Sequence, residues 1–322
     1  MNSSIVAGVI VPLVLGWIIA LVVGKIVIPW IKKLGLKDYE REEGLQSHKK
    51  KSGTPLMGGI IFIIPMLLVS IPYAVKSTNI RVVLILTIGF YLVGMIDDYI
   101  KVALHRNLGL RVWQKFLLEI FVMVIFTVYI LAATDISFEM MIPFTGSVIN
   151  LGIMNIPFMF FVALATTNGT NLTDGVDGLC GGVSAVVVLF FTIASVYFGM
   201  DTVPVCMALF GGLLGYLFYN THPAKIFMGD GGSLALGGFI VAISYVLKMP
   251  LWIPIVGIIF VIEVVSDILQ VGYFKLTHGK RIFKMAPFHH HLERCGWEET
   301  RIVNAFKTWT IIAAFIGIWA ML

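Results

Sequence analysis

The chain has 322 residues and a formal net charge of +5, and 58% of it is hydrophobic against only 13% charged. Soluble domains carry about 25% charged residues, so half that share excludes an ordinary soluble domain and points to a protein embedded in a bilayer. Three scattered cysteines, Cys180, Cys206 and Cys295, lack metal-type spacing and exclude a disulfide framework; the net positive charge suits an anionic lipid surface, and no nucleic-acid partner is expected.

Apolar runs of about 17–25 residues can cross a bilayer as helices. Ten such spans are predicted, at roughly 5–30, 55–75, 80–97, 114–133, 155–168, 178–199, 203–220, 232–247, 250–275 and 302–321. The first is read as a retained span rather than a signal peptide: nothing positive precedes Ile5–Gly24 and no small-residue cleavage site follows it. Between the fourth and fifth spans, "PFTGSVINLG" (143–152) predicts a short β-hairpin. The fifth and eighth spans are short enough to extend into their flanking loops, and Pro254 and Gly257 predict a break in the long ninth. With both termini outside, the cytoplasmic connections and adjoining span ends hold twenty Lys and Arg, whereas the outer side holds three: Lys76, Arg81 and Lys248. That bias sets the orientation. The expected fold is therefore an all-α polytopic membrane protein, one integral domain over residues 1–322.

The polar clusters collect on the predicted cytoplasmic side: "SHKKKSGTP" (47–55), "DDYIK" (97–101), "TNGTNLTDGVDG" (167–178), "NTHPAKIFMGDGGS" (220–233) and "APFHHHLERCGW" (286–297). Asp97 and Asp98 end an apolar run, where a helix C-terminus disfavours acids. Acids at membrane depth have a functional partner as a rule, here a divalent cation or a cationic substrate group. Adjacent side chains on a helix diverge by about 100°, so one of the two faces a given metal.

The stretch 168–178 contains two formal glycosylation sequons, rejected on topology, and lacks the spacing of a calcium loop. It remains either a plain turn or a loop that reads a polar ligand through amides and carboxylates. In "FMGDGGS", Asp230 lies among glycines just before a span, where backbone can approach phosphate and a helix start offers free N–H groups. No Lys-Ser/Thr pair follows, so it is not a P-loop; Mg²⁺ is the default cation between this acid and a phosphate. Three consecutive histidines, His289–His291, cannot all grip one ion from a helix, and they suit phosphate better than zinc. Glu263 and Asp267 share a helical face, for lining a groove or for pairing. Together these groups suit transfer between a soluble phosphorylated donor and a lipid acceptor.

"DDYIK", "NLTDGVDGL", "NTHPAKIFMGDGGSLALGG" and "PFHHHLE" closely resemble the phospho-N-acetylmuramoyl-pentapeptide transferases, of the polyprenyl-phosphate N-acetylhexosamine-1-phosphate transferase superfamily. The likeness runs over essentially the whole chain. It implies Mg²⁺-dependent transfer of phospho-MurNAc-pentapeptide from its UDP carrier to undecaprenyl phosphate, giving lipid I and UMP, at the bacterial cytoplasmic membrane, in the first membrane step of peptidoglycan synthesis. It further implies that Asp97, Asp98 and Asp230 are the essential acids, with Asp230 and Asp97 on the metal. Asn171, Asp174, Asp177, Asn220 and Phe227 match nucleotide positions, Phe227 stacking on uracil, and Asn168 is counted with them. Lys115 and His289, His290 and His291 match the phosphate-side basic residues, and Lys49 and Thr54 fall in the matching first loop. Direct attack by the lipid phosphate and a covalent aspartyl intermediate both stay open, as does a homodimer. The alternatives are a sister enzyme moving GlcNAc-1-phosphate and, from another class, a secondary transporter, which would place acids at mid-depth and show inverted repeats.

Overall fold

The computed structural model describes residues 6–35, 53–104 and 109–322. Twelve helices are used below: α1 (Val11–Lys33), α2 (Ile60–Ala74), α3 (Thr78–Ala103), α4 (Val112–Ala133), α5 (Asn155–Thr173), α6 (Leu179–Tyr197), α7 (Val203–Asn220), α8 (Gly229–Val246), α9 (Ile253–Val256), α10 (Ile258–Leu276), α11 (Phe288–Arg294) and α12 (Glu299–Trp319). Among the described residues, eight helices are long and apolar enough to cross a membrane; the bent pair α9–α10 makes nine, and the shorter apolar α2 accounts for the tenth predicted segment.

The predicted break falls at Gly257, where α9 and α10 meet at 80°, with Pro254 in the first turn of α9, where it loses no hydrogen bond. The predicted hairpin forms from β1 (Met140–Met141) paired antiparallel with β2 (Val148–Ile149), starting three residues before the predicted stretch. It is anchored to the chain after α8 by the Met141 N–H to Lys248 carbonyl bond, 2.8 Å, and by the Lys248–Glu139 ion pair, 2.7 Å. As expected, the fifth span continues to Thr173, and the eighth begins at Gly229.

The third helix departs from its predicted end. It runs on to Ala103 instead of stopping at Asp97, so the two acids lie within the helix, and Lys101 follows Asp97 by one turn on the same face. That i,i+4 pair removes the conflict that acids at the helix terminus would have had.

The core is organised around α8. Every residue of it except Asp230 is buried, as expected of a helix apolar on all sides, and it packs most extensively on α3 and then on α5. Small residues permit the close crossing: a Cβ on Gly94 of α3 would collide with the backbone carbonyl of Asp230. On the periphery, α1, α4 and α12 turn large apolar side chains outward, among them Trp17, Ile26, Phe121, Leu131, Ile312 and Phe315, the surface that a lipid-facing helix requires.

Because the clash at Gly94 is with backbone, it cannot be relieved by a rotamer change. Gly94→Ala is expected to destabilise the protein by about 1–3 kcal/mol, the usual cost of overpacking, read as a lower melting temperature in detergent. An unchanged melting temperature would contradict the described α3–α8 packing.

Candidate active site

The first turn of α8 is where the site is built. Asp98 is fully buried, and its two carboxylate oxygens accept the backbone N–H groups of Asp230 and Gly231, each at 3.0 Å. Asp174, just past the end of α5, lies beside the Gly229 N–H, which favours its charged form. Asp98 thus satisfies two of the N–H groups that a helix start leaves open, and the dipole favours negative charge there. The sequence-based expectation that these N–H groups are left for phosphate is therefore corrected: a protein carboxylate takes them. Gly229 has φ +77°, and a Cβ on it would collide with the Asp98 carboxylate, so glycine is required on both counts. Burial, then the nearby Asp230 and Asp98 charges, push the Asp174 carboxyl well above the usual carboxylate range.

Held this way, Asp230 faces two lysines. Its Oδ1 lies 2.9 Å from Lys101 Nζ and its Oδ2 lies 2.7 Å from Lys115 Nζ. Lys101 Nζ also lies 2.7 Å from Asp97 Oδ2 and 3.7 Å from Asp98 Oδ1, so one ammonium group touches all three acids. Asp97 accepts in addition the N–H of Leu110 at 2.7 Å through Oδ1. Lys115 donates to Asn171 Oδ1 at 3.3 Å, and the Asn171 amide donates to Ser233 Oγ at 2.9 Å, linking α4, α5 and α8. Lys101 is a site residue that sequence reading missed as such; its spacing of three and four from the two acids was the available signal.

Three carboxylates against two ammonium groups leave one net negative charge. Asp97, Asp98 and Asp230 each offer an oxygen within 4.8 Å of the others, a hard-oxygen set suited to a divalent cation such as Mg²⁺. Each of the six carboxylate oxygens already has a protein partner, so contacts alone set no one acid apart as the ligand, and it is the oxygen-only character of the set that fits such an ion.

The remaining candidates spread around this centre. Asp177 is buried and accepts the Ala224 N–H at 3.0 Å and pairs with His222 Nδ1 at 3.1 Å; His222 also lies 3.6 Å from Glu299 of α12. Asn220 accepts the Gly178 N–H and donates to the Ile226 carbonyl, both at 2.9 Å, so its side chain fastens loop 174–178 to loop 221–228. Phe227 is half-buried, and its backbone bonds Pro55 and Gly58, each at 2.8 Å; this brings Thr54, itself half-buried, to the same loop. Lys49 lies outside the described residues. Asn168 sits one turn deeper than Asn171 and donates to Leu164 carbonyl at 2.8 Å and to Glu119 Oε2 at 3.4 Å.

The three histidines diverge. His289 is buried against Glu263 of α10, with Nδ1 2.9 Å from Glu263 Oε2. His290 pairs with Glu293 at 2.7 Å, and His291 Nδ1 accepts the Lys284 N–H at 3.1 Å while its ring stacks on Phe288 at 5.7 Å.

Comparison with known proteins identifies the family. The profile of Glycosyl transferase family 4 matches residues 80–248, a stretch that contains all three clustered acids and both lysines. A phospho-N-acetylmuramoyl-pentapeptide-transferase of Clostridium botulinum (strain Alaska E43 / Type E3) is 47% identical over 311 residues, covering 96% of this chain and 95% of the relative. Proteins of the same name from Clostridioides difficile (strain 630) and Caldanaerobacter subterraneus are each 42% identical over 95% of this chain and 96% of theirs. Identity at that level, nearly end to end, means that the chain belongs to the phospho-N-acetylmuramoyl-pentapeptide-transferase family.

Proposed function

We propose that the chain transfers phospho-MurNAc-pentapeptide from UDP-MurNAc-pentapeptide to undecaprenyl phosphate, releasing UMP and forming lipid I, in a Mg²⁺-dependent reaction. It does so as a single integral unit of the bacterial cytoplasmic membrane, with its site on the cytoplasmic face. The observation that carries this reading is the Asp97–Lys101–Asp230–Lys115 cluster, packed where the ends of four helices meet at one end of the bundle. The Lys/Arg asymmetry supports the orientation.

In the transfer, an oxygen of the lipid phosphate bonds to the phosphorus attached to the sugar, the bond between the two phosphates of the donor breaks, and UMP leaves with the electron pair. Asp230 and Asp97 would hold Mg²⁺, which when bound supplies positive charge against the two phosphorylated substrates. Lys101 and Lys115 hold Asp230 from both sides and offer positive charge to an incoming diphosphate. Asp97 serves as base toward the acceptor phosphate in that direct attack, or else as nucleophile on the sugar-bearing phosphorus of the donor, expelling UMP, with the lipid phosphate then displacing Asp97 from that phosphorus. Asp98 carries a different task, holding the start of α8 in place. Phe227 stacks on the uracil, with the 174–178 loop beside it.

The deciding experiment is UMP release from purified protein given UDP-MurNAc-pentapeptide and undecaprenyl phosphate, with and without Mg²⁺. Release that requires all three is expected; equal turnover of UDP-GlcNAc would move the chain to the sister GlcNAc-1-phosphate activity, and turnover in chelator would overturn the metal assignment. Asp97→Asn is expected to lower kcat by about 10²–10⁴-fold, the range of general-base help, with donor KM nearly intact. Asp98→Asn is expected instead to lower the melting temperature, by the loss of about 0.5–2 kcal/mol typical of a broken N-cap; a normal melting temperature would contradict the capping role. Phe227→Ala should raise donor KM roughly three- to tenfold, the worth of a lost aromatic stack, and an unchanged KM with a collapsed kcat would remove Phe227 from the nucleotide pocket.

A further inference from the structure

Glu263 and His289 form a buried pair that the proposed reaction leaves without a task. Their side chains are 0% and 1% exposed, and one carboxylate makes two contacts with one residue: Oε2 lies 2.9 Å from the ring Nδ1, and Oε1 accepts the backbone N–H at 3.3 Å. Since a carboxylate only accepts, Nδ1 carries the proton, and the tautomer is set from the Glu263 side. The other nitrogen, Nε2, is buried with no hydrogen-bond partner, an arrangement that calls for an explanation. It points at loop 174–178, where a Cβ on Gly175 would collide with it. Gly175 stands between Asp174, beside the start of α8, and Asp177, which holds loop 221–228.

We propose that Glu263 is a positioning residue for the donor: it holds His289 so that Nε2 faces loop 174–178, and Gly175 has no side chain so that this nitrogen fits. The inference rests on the proposed function, in which that loop binds the nucleotide sugar. A mere fastening of α10 to α11 would engage Nδ1 in the same way, but it would require neither a free Nε2 aimed at the loop nor glycine opposite it.

The test uses two isosteric or minimal changes made from opposite sides of the imidazole. Glu263→Gln keeps shape but presents one acceptor where two are used; Gly175→Ala crowds Nε2 without touching Glu263. Each is expected to raise KM for UDP-MurNAc-pentapeptide roughly tenfold or more, the worth of one charge-assisted hydrogen bond, with KM for undecaprenyl phosphate changed less than about twofold. The double variant should be no worse than the more damaging single one, because both act through one ring. An unchanged donor KM in either folded variant, equal losses for both substrates, or additive losses would overturn the inference, and Gly175→Ala decides alone should Glu263→Gln fail to fold. Wild-type protein that releases no UMP would overturn the proposed function, and this inference with it; active wild type with unaffected variants overturns only the inference.

Discussion

The arrangement depends on one pair of hydrogen bonds, those from the Asp230 and Gly231 N–H groups at the start of α8 to Asp98 of α3. A buried N–H left unpaired costs about 1–3 kcal/mol, so the start of this buried helix needs acceptors, and carboxylates are the acceptors its dipole favours. Once α8 is held there, Asp230 can point only into the space that Asp97, Lys101 and Lys115 share. The missing side chain at Gly94 lets α3 approach closely enough for these bonds to form.

The electrostatics follow from the same constraint. Three acids within ion-pair reach of one another would repel, and in low dielectric the charged forms are disfavoured without compensation. Lys101, from the same helix as two of the acids, and Lys115, from the next, supply that compensation directly. The cluster therefore holds its charges matched to within one: two fixed ammonium groups stand against three acids, and the excess negative charge is one that a divalent cation would balance.

Around this centre, the loops hold one another through side-chain-to-backbone bonds. Asp177 and Asn220 knit loop 174–178 to loop 221–228, and the Phe227 backbone extends the connection to Pro55 and Gly58. The bend at Gly257 sets the direction of α10, which delivers Glu263 to His289. Polar residues that read as a single ligand-binding set in the sequence thus divide into those that face the cluster and those that build its walls.

Ten apolar segments, the break near Gly257, the short hairpin and the gathering of the polar motifs within the described residues were all readable in the sequence, because each follows from local hydrophobicity, from backbone-restricted residues or from motif spacing. The family was readable in the same motifs, since they are contiguous. What the tertiary structure alone decided is which acid does what. Asp97 and Asp98 are neighbours of identical chemistry, and only the approach of α8 turns one into a helix cap and leaves the other facing Lys101. The end of α3 at Ala103, which makes Lys101 part of the site, was hidden because a polar stretch after an apolar run looks like a loop until its side chains have partners. Glu263 against His289 joins residues 26 apart in the chain, and no local pattern encodes such a pair: it exists because two helices from either side of a connecting segment are packed together, and packing is decided by the whole fold.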